Sequence, residues 1–417
     1  MIKDAVCSLK KDWDRAVFYW IVFVLSSMFM FTFFHLALSD AIGVTFIYSN
    51  NDLPTYLTVF DVLICIIVIF LANDFYVKKK SGELAVILIC GGTYLQLVEF
   101  LLIQTGILMI LSIPVGIGLG CLAFPAISLL MKTMSGYGIE IEFGLQSVVL
   151  TACVIIMEVF WCTMVNLGYT YRNSIYTLLH GEDKIKLSMF AGLKETKIRY
   201  IYPVLYLGCA VLLYTCGKTP ERMLLFGFAG TAGLWGSINR VMFPWLEKAV
   251  LEKWGDDGEK LVYMGLFRND LKMARLYVVL FIATANILCS VMAGTVNNSG
   301  EFALCLLSFG VIIPLLALSF MFRFATEALE RKKQFDVLRK TGYMEEQIRK
   351  IKNRELLWIY GFIMIAALIY ILNIVAVLVI YGRIPGAVGG GILLIFTGSL
   401  AVCGLINRRQ YEKDKKE

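Results

Sequence analysis

The chain has 417 residues, 59% of them hydrophobic and 17% charged, with a mean hydropathy of +0.73 and a formal net charge of +7. Globular chains carry about 45–50% apolar and about 25% charged residues, so a soluble core is excluded and a bilayer is the solvent that accepts this surface. The positive charge calls for no nucleic-acid partner, because basic loops facing anionic lipid account for it.

The composition predicts an all-α, polytopic membrane protein. Runs of about 20 apolar residues, enough helix to cross about 30 Å of hydrocarbon, recur near 17–38, 56–77, 101–131, 146–169, 201–216, 223–239, 277–296, 303–322, 358–382 and 388–407. Ten transmembrane helices are expected. The first run exceeds the about 7–15 residues of a signal-peptide core and no A-x-A-like site follows it, so it reads as a retained anchor.

Basic residues set the orientation. Of the 39 Lys and Arg, 35 fall in 1–16, 78–80, 172–199, 240–275, 323–354 and 408–416, leaving only Lys132, Lys218, Arg222 and Arg383 on the other side. Cytoplasmic loops hold the positive charge, so both termini are expected in the cytoplasm. The eleven cysteines include Cys65, Cys153, Cys162, Cys289 and Cys403 within apolar runs and form no C-x-x-C pair; they read as small buried apolar residues.

In chain order, the first feature is Lys-Lys-Asp-Trp-Asp-Arg-Ala-Val-Phe-Tyr (10–19), which matches Arg-Asn-Asp-Leu-Lys-Met-Ala-Arg-Leu-Tyr (268–277) through Asp12, Ala16 and Tyr19 against Asp270, Ala274 and Tyr277. Asp61 follows in the second run. A charge at the bilayer centre costs about 2.5–3.5 kcal/mol on insertion scales, so Asp61 is a candidate substrate contact, gate or proton carrier unless it simply reaches water near the outer end. Segment 79–91 then aligns with 330–342 at an offset of 251, pairing Val86 with Val337, Gly91 with Gly342 and Gln96 with Gln347. Each is a basic amphipathic helix, a glycine stop and a helix that enters the membrane, and its apolar face suits the bilayer or a partner; the bland alternative is a solvated connector.

Gly116-x-x-x-Gly120, like Gly386-x-x-x-Gly390 later, offers close helix packing. Glu158, a candidate for the same roles of substrate contact, gate or proton carrier, lies nearer mid-membrane and is expected to be paired internally, for structure or for function about equally. Cys-Gly-Lys-Thr (216–219) ends like a phosphate-binding loop, but Leu212 stands where its first glycine is required. His35 and His180 lack the neighbours of a metal or nucleophile site. Asn297-Asn298-Ser299 is a formal glycosylation sequon.

The two matches divide the chain into a four-helix module with an N-terminal amphipathic helix (1–175), a cytoplasmic segment with a two-helix insert (176–257) and a second four-helix module (258–417), a parallel duplication. The pattern around 78–91 and 330–343 resembles the FtsX-like permease family of ABC transporters. Glu83, Gly91 and Gln104 carry it in the first half, and Gln334, Gly342 and Glu355 in the second. The ten-helix layout is closest to the BceB-type permeases of antimicrobial-peptide resistance in Gram-positive bacteria. It departs from them in the short loop 295–300, where those proteins carry a large extracellular domain, and loop 39–55 is likewise too short for the outer domain of MacB-like members.

The resemblance implies a bacterial plasma-membrane subunit that is not itself an enzyme and holds no cofactor. Two copies of a separate ATPase, binding ATP and Mg²⁺, would dock on the coupling helices and drive export or extraction of a hydrophobic peptide or lipid-linked compound. The same fold also serves mechanotransmission to a sensor histidine kinase or a cell-wall hydrolase, with accessory partners. A gradient-driven secondary transporter would favour inverted repeats and paired midplane carboxylates.

Overall fold

The computed structural model describes residues 2–11, 13–38, 53–135, 144–172, 200–216, 219–246, 258–296, 299–330 and 332–413. His180, Asp12, Lys218, Asn297 and Asn298, most of loop 39–55 and nearly all of the basic segment 172–199 lie outside them. Every regular element among the described residues is a helix. Hydrocarbon offers the backbone no water, and a helix satisfies its N–H and C=O groups within one segment.

The chain divides into two compact units, Met1–Ala191 and Gly192–Glu417. The first contains α1 (Ile2–Lys11), α2 (Trp13–Leu38), α3 (Leu53–Lys79), α4 (Ser81–Ile89), α5 (Tyr94–Ser135) and α6 (Leu145–Arg172). The second contains α7 (Ile201–Cys216), α8 (Pro220–Ser237) with a π-helical turn at Ile238–Met242, α9 (Gly258–Gly294), α10 (Ser299–Glu330), α11 (Lys332–Lys340), α12 (Glu345–Ile380) and α13 (Gly386–Lys413).

Eight of these helices, α2, α3, α5, α6, α9, α10, α12 and α13, are long and apolar enough to cross a membrane, and the chain is a multi-pass membrane protein. That is two fewer than the ten expected. The runs at 201–216 and 223–239 do form helices, but α7 has only 16 residues, and α8 opens on Glu221 and Arg222 and carries four glycines. Four glycines and two charges dilute the hydropathy that a spanning helix needs. Those glycines instead allow close approach. A Cβ on Gly233 would meet Tyr206 N at 2.8 Å, one on Gly236 would overlap the Tyr202 ring of α7, and one on Gly230 would overlap the Tyr370 hydroxyl of α12.

Packing in the first unit centres on α2. Ser27 donates to the Ser112 carbonyl of α5 at 3.1 Å, and a Cβ on Gly116 would overlap the Ser27 hydroxyl. Gly120 stands against Phe31 one turn later. The first glycine pair is therefore a packing surface, as expected. The second is not: Gly386 and Gly390 have nothing within 4 Å, and Gly389 faces Val375 and Val379 instead. Cys153 is also exposed, against the expectation of burial, because it lies opposite the inward stripe of α6.

The helix-packing reading of Gly116 has a direct consequence. Gly116→Leu is expected to destabilise the protein by about 1–3 kcal/mol through overpacking, lowering the midpoint of thermal unfolding in detergent. Gly118→Leu, at a position open to surroundings, is expected to leave the midpoint near wild type.

Candidate functional site

The two segments carrying the sequence match adopt the same local structure. Helices α4 and α11 have nine residues each, and each ends in a turn at a glycine of positive φ, +90° at Gly91 and +101° at Gly342. The turn hydrogen bonds correspond: Gly91 N–H to Leu88 O at 3.0 Å and Gly342 N–H to Arg339 O at 3.1 Å. The next helix is then capped by a side chain, since Gln96 Oε1 accepts the Thr93 N–H and Gln347 Oε1 accepts the Met344 N–H, both at 2.9 Å. An orphan donor at each helix start is thereby satisfied.

Each short helix buries one face and exposes another. In the first unit, Leu84 and Ala85 of α4 join Ala5 of α1 with Leu97, Phe100 and Leu101 of α5 in one apolar cluster. Glu83 sits at its edge, accepting from Ser8 Oγ at 2.6 Å and from Lys80 Nζ at 2.8 Å. Glu83 thus ties α4 to the amphipathic α1. In the second unit Phe335 is buried under Lys352, whose ammonium lies 4.6 Å from the ring centroid. Arg339 bonds both Asp336, at 2.8 Å, and Glu345, at 2.6 Å, bracing the turn around Gly342, and these two carboxylates hold the Arg339 guanidinium above its ordinary pKa. Gln334 is exposed.

The outward faces carry Val86 and Ile89 on α4, and Val337 on α11 with Met344 just beyond it, all more than half exposed. Gln104 and Glu355, thirteen residues after each glycine, are both fully buried. Gln104 acts inside the unit: its Nε2 donates to the Ala5 carbonyl at 3.0 Å and its Oε1 accepts from Tyr76 at 3.3 Å, again fastening α1.

Asp61 does not reach the surface of the fold; it is 1% exposed on α3. Glu158 is 4% exposed and, contrary to the expectation of an internal partner, neither carboxyl oxygen has a hydrogen-bond partner among the described residues. His35, set aside in the sequence, is engaged: its Nδ1 lies 3.3 Å from Ser147 Oγ and its ring packs on Phe124. No group of three or more metal-ligating side chains occurs among the described residues.

The second unit holds an apolar cavity of about 660 Å³ that sequence reasoning missed, between the segment after α8 and helices α9 and α12. Trp245, Tyr263, Phe267 and Trp358 line it, with Lys260 at its edge. Its residues come from three distant stretches of chain, so no local pattern announces it.

No family model matches the chain, and no curated protein matches it.

The glycine turns are open to test. Nothing lies within 4 Å of a Cβ at Gly342, so Gly342→Ala meets only the backbone penalty of positive φ, about 1–2 kcal/mol. Its thermal midpoint is expected to fall, whereas Gly82→Ala, within a helix and also in open space, is expected to hold or raise it.

Proposed function

We propose that this chain is the membrane subunit of an ATP-driven transporter of the FtsX-like kind, with two four-helix modules and a two-helix insert, both termini cytoplasmic. On this reading α4 and α11 are coupling helices, each receiving one copy of a separate cytoplasmic ATPase that supplies ATP and Mg²⁺ chemistry. The observation that carries it is the recurrence of one device: a nine-residue helix, a positive-φ glycine, a glutamine-capped long helix and an exposed valine at the matching position. A solvated connector has no need of exposed Val86, Ile89 and Val337, whereas exposed apolar side chains, flanked on α11 by Asp336, Arg339 and Lys340, suit a protein partner.

Force applied at α4 or α11 would pass through the glycine turn into α5 or α12. These helices run 42 and 36 residues, about 63 and 54 Å at 1.5 Å per residue, well beyond about 30 Å of hydrocarbon. They are long enough to act as levers between a cytoplasmic partner and the bilayer. The cargo class that suits the chain is a hydrophobic peptide or lipid-linked compound, supported by the apolar cavity with its amphipathic aromatic rim.

Co-purification from native membranes tests the reading. A soluble ATPase is expected with the wild-type chain in about a two-to-one ratio, and Val86→Glu with Val337→Glu is expected to reduce its recovery about tenfold without changing the thermal midpoint of the permease. Recovery of no ATPase under several mild detergents, or equal recovery with the double variant, overturns it.

A further inference from the structure

The inward face of α6 is polar at all but one of its buried positions. Its buried residues fall one per turn, at Ser147, Thr151, Ile155, Glu158, Cys162, Asn166 and Thr170, and Ile155 alone lacks a polar or ionisable group. Helices α2 and α3 complete the seam. At one end His35 meets Ser147 at 3.3 Å; at the other the Tyr19 hydroxyl donates to Asn73 Oδ1 and Asn73 Nδ2 donates to Asn166 Oδ1, both at 2.9 Å. Asp61 and Cys65 are buried one turn apart on α3.

Glu158 occupies the mid-point of the 28-residue α6, buried, with both oxygens lacking a hydrogen-bond partner among the described residues. Packing alone does not require a carboxyl there. Helix α13 of the second unit is also 28 residues long, and at the same distances from its start stand Ile392, Phe396 and Ser399 where α6 has Thr151, Ile155 and Glu158. Two residues are unchanged at matching positions, Cys403 for Cys162 and Asn407 for Asn166, and all four are buried. The ends of the seam differ as well, with Val388 and Tyr411 at the positions of Ser147 and Thr170, and in the middle the second unit is apolar or weakly polar.

We propose that this seam is a proton path through the first unit and that Glu158 is its mid-membrane carrier. A proton entering along the seam forms an O–H bond with a Glu158 carboxylate oxygen, neutralising it. That bond then breaks to pass the proton on, restoring the carboxylate. The ionisable side chains buried along the seam are Tyr19 and His35 on α2, Asp61, Cys65 and Tyr76 on α3, and Cys162 on α6; α5 adds none, because its Tyr94, Glu99, Cys121 and Lys132 are exposed. A polar group on nearly every turn suits transfer between neighbours. A metal ion suits the seam less well, since no cluster of three ligating side chains forms among the described residues. The inference does not rest on the ATPase reading and needs no nucleotide.

The test is infrared difference spectroscopy of the full chain in lipid bilayers, between acid and alkaline pH. Wild type is expected to show the carbonyl stretch of a neutral buried carboxyl that shifts within minutes of exchange into D₂O. Glu158→Gln is expected to lose that band, and Ser399→Ala to retain it. Identical spectra for wild type and Glu158→Gln, or a band that does not exchange with D₂O, overturn the proposal. If Glu158→Gln fails to fold, the wild-type protein decides: an apolar carbodiimide, which reacts with protonated carboxyls in membranes, is expected to modify Glu158 and abolish the band. Modification elsewhere, or a band that survives modification of Glu158, overturns it.

Discussion

In hydrocarbon every backbone N–H and C=O must find its partner within the protein, and each such group left unsatisfied costs several kcal/mol. Helix is therefore the default along the chain, and departures are confined to places where the backbone is repaired locally. At Gly91 and Gly342 the chain reverses within two residues, the helix-end carbonyls accept from the turn, and a glutamine caps the next helix. Inside the units, helices come together through van der Waals contact and a few polar groups, because lipid is as apolar as leucine. That places the burden of packing on small residues such as Gly116, Gly120, Gly233 and Gly236, each seated against a specific neighbour.

The same device is dressed differently in the two units. Helix α4 is rich in apolar residues and rests on α1 through Ala5 and the Glu83–Ser8 contact, whereas α11 is charged and braced by the Asp336–Arg339–Glu345 network. Exposed ion pairs of the latter kind contribute little stability, about 0–1 kcal/mol each. Their part is to orient the turn, while the buried Phe335 anchors the helix. The two turns thus share a backbone geometry and differ in the surfaces that support them.

The interiors of the units also diverge. In the second, aromatic side chains fill the space between helices: Tyr277 packs edge-on against Phe320, Phe320 against Tyr360, and Phe281 against Phe396. The corresponding space along α6 is occupied by hydroxyl, amide, thiol and carboxyl groups. A buried polar group is costly unless it is bonded, and Tyr19, Asn73 and Asn166 are bonded to one another while Glu158 has no hydrogen-bond partner among the described residues. Retaining such a carboxyl at mid-membrane costs stability, and that cost is the ordinary signature of a working group.

Composition and periodicity alone determined the solvent, the all-helical class and the approximate position of each apolar run, because the length of a spanning helix is set by bilayer thickness. The match between residues 79–91 and 330–342 likewise foretold two similar turns, since a positive φ selects glycine locally and a cap lies within four residues of it. The number of spanning helices was less legible: α7 and α8 are apolar in sequence, yet the first is short and the second spends its glycines on contact with Tyr202 and Tyr370. Burial of Asp61, the engagement of His35 by Ser147 and the hydrogen bonds of Gln104 and Asn73 were decided only by tertiary structure. A helix presents all its faces to the sequence reader, and only its neighbours determine which face is turned inward.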